Sequence, residues 1–310
     1  MPDRLVLSVP DAGLLDALSP LPEGVDGVVW DLRDTPPAPR IDLVVPPYMG
    51  DWKQRLPAVA QVGPRLVQSQ MLGYDGVEDH LPPGVPYANA AGVHEPSTAE
   101  LAVGLVLASL RHLDEYVRQA AEGGPQTLIR GTSLADRRVL LLGVGGVGAA
   151  IARRLAPFEV ALTRVGRTAR TDDLGEVHGM AELPALLPTA EVAVLAVPLD
   201  AATTGLVDRA FLAALPDGAL LVNVGRGPLV DTAALVEATA DGRIRAALDV
   251  TEPEPLPAGH PLLASPHVLV VPHVGGNSTA MLPRVVALVR QQLARMQAGE
   301  PPAHVVLGQG

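Results

Sequence analysis

The sequence predicts an α/β fold in two domains, each built on a largely parallel sheet. Three observations predict it. The chain has 310 residues, about twice the usual length of one domain. Short apolar runs alternate with helical segments, the order that parallel strands with helical crossovers produce. A glycine turn, Gly143-x-Gly145-x-x-Gly148, also falls between a strand-like run and a helix-like one.

In chain order, strands are expected at LVLSV (5–9), GVVWD (27–31), DLVV (42–45) and RLVQS (65–69), all rich in β-branched or large apolar residues. Helices are expected between them at 13–18 and 52–61. TPPAPR (35–40) and Pro46–Pro47 mark loops, because proline interrupts helices and central strands alike. A long helix is then predicted from Ser97, where Ser97 and Glu100 have capping-box spacing, to the Gly123–Gly124 pair. Its apolar surface points to burial against a second subunit. From Arg138 strand and helix alternate again. RVLLLG (138–143), VALTRV (160–165), VAVLAVP (192–198), ALLVNV (219–224), IRAALDV (244–250) and HVLVVP (267–272) read as strands. Helices are expected at 147–155, 183–187, 209–215, 232–240 and 279–296. Several of these strands are almost wholly apolar, as strands covered on both faces are.

Composition narrows the function classes. Apolar residues make up 48% and charged residues 18%, with mean hydropathy +0.25, so sizeable cores are expected. The formal net charge is −11 and Lys53 is the only lysine, which argues against nucleic acid or an anionic membrane as partner. With no cysteine, disulfides, thiolate metal sites and cysteine nucleophiles are excluded, and no metal is expected. The longest strongly apolar stretch, 101–110, is about half of what a membrane crossing needs. Asp11 arrives before a signal-peptide core could form. A cytoplasmic protein is expected.

The glycine turn points to a dinucleotide. Gly143 permits the tight turn, Gly145 lets a pyrophosphate approach the backbone, and Gly148 allows close helix–strand packing. The N-terminus of the following helix offers N–H groups and partial positive charge. The end of the next strand reports which dinucleotide. Readers of NAD usually place a carboxylate there. This chain has TRVGRTAR (163–170), with Gly166 at that position, Arg167, Thr168 and Arg170 after it, and no carboxylate before Asp172. A guanidinium matches a 2′-phosphate, so NADP(H) is predicted over NAD(H). The alternative is that Arg167 is an ordinary turn arginine.

Three ionisable residues sit just past apolar strands: Arg226 after LLVNVG, Glu254 after LDVTEP, and His273 after VLVVP. In an open α/β sheet such positions line the ligand crevice. Each has a bland alternative as a surface or satisfied polar residue; three together downstream of a dinucleotide turn are harder to explain as a combined accident.

VNVGRGPLVD (222–231), ALDVTEPEPLP (247–257) and VPHVGGNS (271–278) closely resemble the three signatures of the D-isomer-specific 2-hydroxyacid dehydrogenases. QMLGYDGV (70–77) and PYANAAGVHEPSTAE (86–100) fit the same pattern. The resemblance implies a Rossmann dinucleotide-binding domain, residues 98–276, inserted into a flavodoxin-like substrate domain formed by 1–97 and 277–310. It also implies a homodimer. Arg226, Glu254 and His273 would be catalytic, with Glu252 the competing carboxylate. Leu72 and Gly73 N–H groups, with Arg226 and His273, would hold the substrate. Cofactor contacts would come from Gly143, Gly145, Gly146, Val147, Gly148, Arg167, Thr168, Arg170, Val197, Pro198, Thr203, Val224, Gly225, Asp249 and Gly275. The segment 156–170 is most similar to the NADPH-using glyoxylate/hydroxypyruvate reductase branch, with NAD(H) as the alternative cofactor. The implied activity is hydride transfer between NADP(H) and a small 2-oxo acid. Rival readings are an NAD-dependent dehydrogenase of 3-phosphoglycerate, phosphite or formate, and a dinucleotide-sensing binding protein without catalysis.

Overall fold

The structure is a computed structural model describing residues 4–308. The first three residues of the N-terminal stretch and the last two of segment 277–310 lie outside the described residues. The chain divides into two compact units, Met1–His94 with Thr279–Gly310, and Glu95–Ser278. The crossing points are therefore 94/95 and 278/279, where the sequence suggested 97/98 and 276/277.

The first unit begins with β1 (Leu5–Val9), α1 (Ala12–Leu18), β2 (Val25–Val29), β3 (Leu43–Val44), α2 (Trp52–Arg55), β4 (Leu66–Gln68) and β5 (Tyr87–Ala88). Asp11 caps α1 by accepting from the Leu14 N–H at 3.0 Å. The helix expected over 52–61 is short, because Pro57 turns its second half into a 3₁₀ segment, Leu56–Gln61.

The second unit opens with α3 (Glu95–Leu110) and α4 (Leu113–Ala121). Two expectations are corrected here. The helix begins at Glu95, so Ser97 lies buried inside its first turn and does not cap it. Pro96 explains this, since proline suits a first helical turn. The single long helix is also broken at His112, which takes a left-handed backbone (φ 54°), while the Leu110 carbonyl accepts from Thr132 N–H at 2.8 Å.

The sheet of this unit contains β6 (Arg138–Leu142), β7 (Ala161–Gly166), β8 (Arg170–Asp172), β9 (Gly175–Gly179), β10 (Val192–Leu195), β11 (Ala219–Asn223), β12 (Ile244–Leu248) and β13 (Val268–Val270). Its helices are α5 (Gly146–Leu155), α6 (Leu183–Leu186), α7 (Arg209–Ala214), α8 (Thr232–Thr239) and α9 (Pro261–Ala264). The strand order is β13-β12-β11-β10-β6-β7-β9-β8, all parallel except the β8–β9 hairpin. The order reverses beside β6, which pairs with β7 on one side and β10 on the other. That reversal opens the ligand crevice of such sheets at the carboxyl ends of the strands. β10 and β11 are buried along their whole length, between separate apolar layers that include Leu195, Leu221 and Phe211 on one face and Val194, Val222 and Ile151 on the other. Coverage on both faces is why their sequences do not alternate.

The chain re-enters the first unit with α10 (Met281–Gln297) and β14 (Val305–Leu307). Pro283 falls in the first turn of α10, where it costs no helical hydrogen bond. The six-stranded sheet has the order β14-β5-β4-β3-β1-β2, and β14 is antiparallel to β5. β1–β5 are parallel, with Leu7, Leu43, Leu66 and Ala88 packed against Leu18 and Leu293. Among the described residues no helix is long and apolar enough to cross a membrane.

Candidate active site

The turn after β6 is shaped by what its glycines lack. Gly143 has φ +111°, and a Cβ there would lie 2.4 Å from the Ala196 carbonyl oxygen at the end of β10. A Cβ at Gly148 would lie 1.9 Å from the Gly143 carbonyl oxygen, so α5 starts in backbone contact with the turn. At Gly145 a Cβ would meet no atom within 4 Å. Gly145 is also the N-cap of α5 and supplies no side-chain acceptor to the first-turn N–H groups. The turn thus leaves space and donors where an anion would sit, which fits a pyrophosphate. Val147 lies in the first turn of α5. Gly146 is closed on its other side by Glu95, whose carboxylate would be 2.9 Å from an added Cβ. Glu95 was not anticipated from sequence.

At the end of β7, Gly166 occupies the position where a carboxylate would hold ribose hydroxyls. The space is already filled: a Cβ there would lie 2.9 Å from Val144 Cγ2, 3.0 Å from Val177 Cγ1 and 3.1 Å from Arg170 Nη1. Arg170 also donates to the Thr168 carbonyl at 3.4 Å. Arg167 reaches the other way, with Nη2 2.8 Å from Asp200 Oδ2 in the loop after β10. Asp200 accepts from the Ala202 and Thr203 N–H groups, which with the Arg167 charge hold its carboxyl below the usual range. Sequence reading missed Asp200, although Asp-x-x-Thr is a turn-capping signal. The Thr203 hydroxyl is used inside the same turn, donating to the Pro198 carbonyl at 2.8 Å and accepting from Asp200 N–H.

The corner after β11, β12 and β13 gathers the ionisable residues. A Cβ on Gly227 would lie 1.9 Å from the Thr251 carbonyl oxygen, so the Arg226 loop packs directly on the loop that follows β12. Val224 and Gly225, which lead into that loop, are buried, and Val197 backs Gly225, its carbonyl oxygen 3.0 Å from where a Cβ would be. Arg226 donates from Nη1 to the Gly225 carbonyl at 2.7 Å. Asp249 is buried, and its two carboxylate oxygens accept from Val274 N–H at 2.6 Å and Gly275 N–H at 3.0 Å. It thereby fixes the turn on which His273 stands with φ 51°. Burial pushes the Asp249 carboxyl up, against those two hydrogen bonds.

His273 Nδ1 lies 2.5 Å from Glu254 Oε1. That hydrogen bond is the main cause of an upward shift at His273; burial opposes it, and the charges of Glu254 and Asp249 add to it. For Glu254 burial is the largest influence and acts upward, yet the His273 bond and charge, with Arg226, bring the net shift downward. Glu252 is exposed, and its contact is a carbonyl that accepts from the Thr232 hydroxyl at 2.6 Å. The carboxylate facing the imidazole is that of Glu254. The arrangement is an imidazole whose protonated form is favoured by its carboxylate partner, beside a permanent cation.

Leu72 and Gly73 belong to the other unit, in the loop after β4, where the Leu72 carbonyl accepts from Asn89 Nδ2 at 3.0 Å. Beside them His94 Nε2 lies 2.6 Å from the Gln70 carbonyl and its ring stacks on Tyr48 at 5.6 Å.

Residues 103–275 match the family model for the D-isomer specific 2-hydroxyacid dehydrogenase, NAD binding domain. The chain is 32% identical over 246 residues to the human glyoxylate reductase/hydroxypyruvate reductase, covering 76% of this chain and 75% of that protein. The crystal structure of a D-isomer specific 2-hydroxyacid dehydrogenase from Xanthobacter autotrophicus Py2, in complex with NADPH and MES, superposes with a TM-score of 0.82 at 30% identity, over 99% of this chain and 98% of that one. An NADPH-dependent glyoxylate/hydroxypyruvate reductase from Sinorhizobium meliloti, in complex with NADP and sulfate, gives 0.81 at 25% identity, over 98% of each chain. With its glycine turn, its reversed strand order and a match over more than half its length, the chain belongs to the D-isomer specific 2-hydroxyacid dehydrogenase family, oxidoreductases that work with a nicotinamide dinucleotide.

Proposed function

We propose that this protein is an NADPH-preferring reductase of small 2-oxo acids of the glyoxylate/hydroxypyruvate type, with Arg226, Glu254 and His273 as its catalytic residues. The contact between His273 Nδ1 and Glu254 Oε1 carries the reading. Glu254 fixes the ring through Nδ1 and favours its protonated form, so Nε2 is the atom that delivers a proton to the substrate's keto oxygen. Arg226 pairs with the substrate carboxylate and stabilises negative charge growing on that oxygen. Asp249 acts on His273 by holding its turn. When bound, NADPH supplies the reducing hydride.

The dinucleotide is assigned to the turn Gly143–Gly148 and to Arg167, Thr168 and Arg170. The missing carboxylate at Gly166, with Arg170 in its place, supports NADP(H) over NAD(H), as do the two relatives in complex with NADPH or NADP. The exposed side chains of Leu113, Val117 and Leu128, on and after α4, support a homodimer. The acidic charge balance supports a small molecule, not nucleic acid or an anionic membrane, as the partner.

The test is the decay of NADPH absorbance with glyoxylate, hydroxypyruvate and phenylpyruvate, repeated with NADH. Turnover of the first two with a higher kcat/KM for NADPH is expected. Cofactor binding without turnover of any of the three would instead favour a dinucleotide-sensing protein.

A further inference from the structure

The strand that carries Gly166 also carries a buried charge. Arg164, on β7, is 5% exposed, and its two terminal nitrogens lie 3.0 Å from Asp172 Oδ2 and 2.8 Å from Asp172 Oδ1. Nη2 also donates to the Glu176 carbonyl at 3.1 Å. The pair joins β7 to the β8–β9 hairpin, in which Arg170 faces Val177 and Asp172 faces Gly175. Asp172 Oδ1 additionally accepts from Leu174 N–H at 2.8 Å and so closes the hairpin turn. Arg164 is buried while Asp172 is partly exposed, and desolvating the guanidinium offsets much of what the pairing contributes to stability. What this one does must therefore be sought in what it holds.

It holds Arg170. Residues two apart on a strand share a face, about 7 Å from one another, so Arg170 and Asp172 point to the same side of β8. Arg170 Nη1 lies at Gly166, where the cofactor's 2′ position is read, and a carboxylate two residues away would draw it off. The other arginine of this region, Arg167, is already paired with Asp200. We propose that Arg164 is a positioning residue for cofactor selection, acting through the carboxylate of Asp172. By engaging both oxygens of Asp172, Arg164 directs that carboxylate away from a direct pairing with Arg170, whose guanidinium stays available to a 2′-phosphate. This rests on the NADP(H) reading above.

The experiment measures KM for NADPH and for NADH, and kcat with each, in Arg164→Met, Asp172→Asn and the double variant. Losing Arg164 alone should raise KM for NADPH about tenfold while KM for NADH and kcat stay within about twofold. In the double variant, with the competing carboxylate gone, KM for NADPH should return to within about threefold of wild type. The proposal is overturned if Arg164→Met keeps the wild-type NADPH/NADH ratio, raises both KM values alike, or is not relieved by the second substitution. Should Arg164→Met fail to fold, Asp172→Asn decides alone: its KM for NADPH should equal or fall below wild type, and a rise beyond about threefold contradicts the proposal. A wild-type enzyme that uses NADH as well as NADPH would overturn the cofactor reading and the proposal together; a wild-type preference for NADPH that survives Arg164→Met would overturn the proposal alone.

Discussion

The turn after β6 and the corner after β12 and β13 use side chains in opposite ways. The turn works by omission: its three signature glycines leave room for backbone contact at Gly143 and Gly148 and for an anion at Gly145. The corner works by accumulation: Asp249 holds the backbone of the His273 turn, Glu254 holds the ring, and Arg226 adds charge. A site made of omissions responds to added volume. A site made of coupled ionisable groups responds to the loss of a partner and to pH.

The largest break of this comparison is His273→Ala. Proton transfer by a positioned group is worth roughly 10²–10⁴ in rate, so kcat for 2-oxo acid reduction should fall by that order. Cofactor affinity, set at the glycine turn, should stay near wild type in a fluorescence titration with NADPH. A comparable loss of NADPH binding would show that the two regions do not divide the work as described.

Within the turn, two alanine substitutions should separate. Gly148→Ala forces a Cβ onto the Gly143 carbonyl, and overpacking of that kind costs about 1–3 kcal/mol, visible as a lower Tm. Gly145→Ala meets no protein atom, so Tm should hold while Kd for NADPH rises about tenfold or more. Equal effects of the two on Tm would contradict the division between packing and ligand space.

Much of the framework was legible because its physics is local. The all-apolar runs of β10 and β11 announce strands covered on both faces, and the glycine spacing has few other uses between a strand and a helix. Arg226, Glu254 and His273 stood out as charged residues at the ends of such runs. What escaped depended on partners distant in sequence or on backbone preferences with no strong residue signal. His112 breaks the long helix in a left-handed conformation that histidine takes uncommonly. β5 has two residues and β14 three, too short for a period to show. The partner of Arg164 is Asp172, and that of Arg167, which the sequence offers as a 2′-phosphate ligand or an ordinary turn arginine, is Asp200; neither pairing is visible in the sequence. The start of α3 was misplaced because Ser97 and Glu100 have capping-box spacing, while Pro96 could equally open the helix, as it does.

The central claim, that Glu254 keeps His273 protonated for delivery to the substrate, is tested most directly by the pH profile of kcat/KM for 2-oxo acid reduction in wild type and Glu254→Gln. The hydrogen bond and charge of Glu254 raise His273 above its ordinary value of 6.5, so the acid form persists to higher pH in the wild type. Activity should therefore decline with rising pH in both proteins, and the decline should set in at lower pH in the variant. A descending limb that coincides with wild type, or moves to higher pH, would contradict the account.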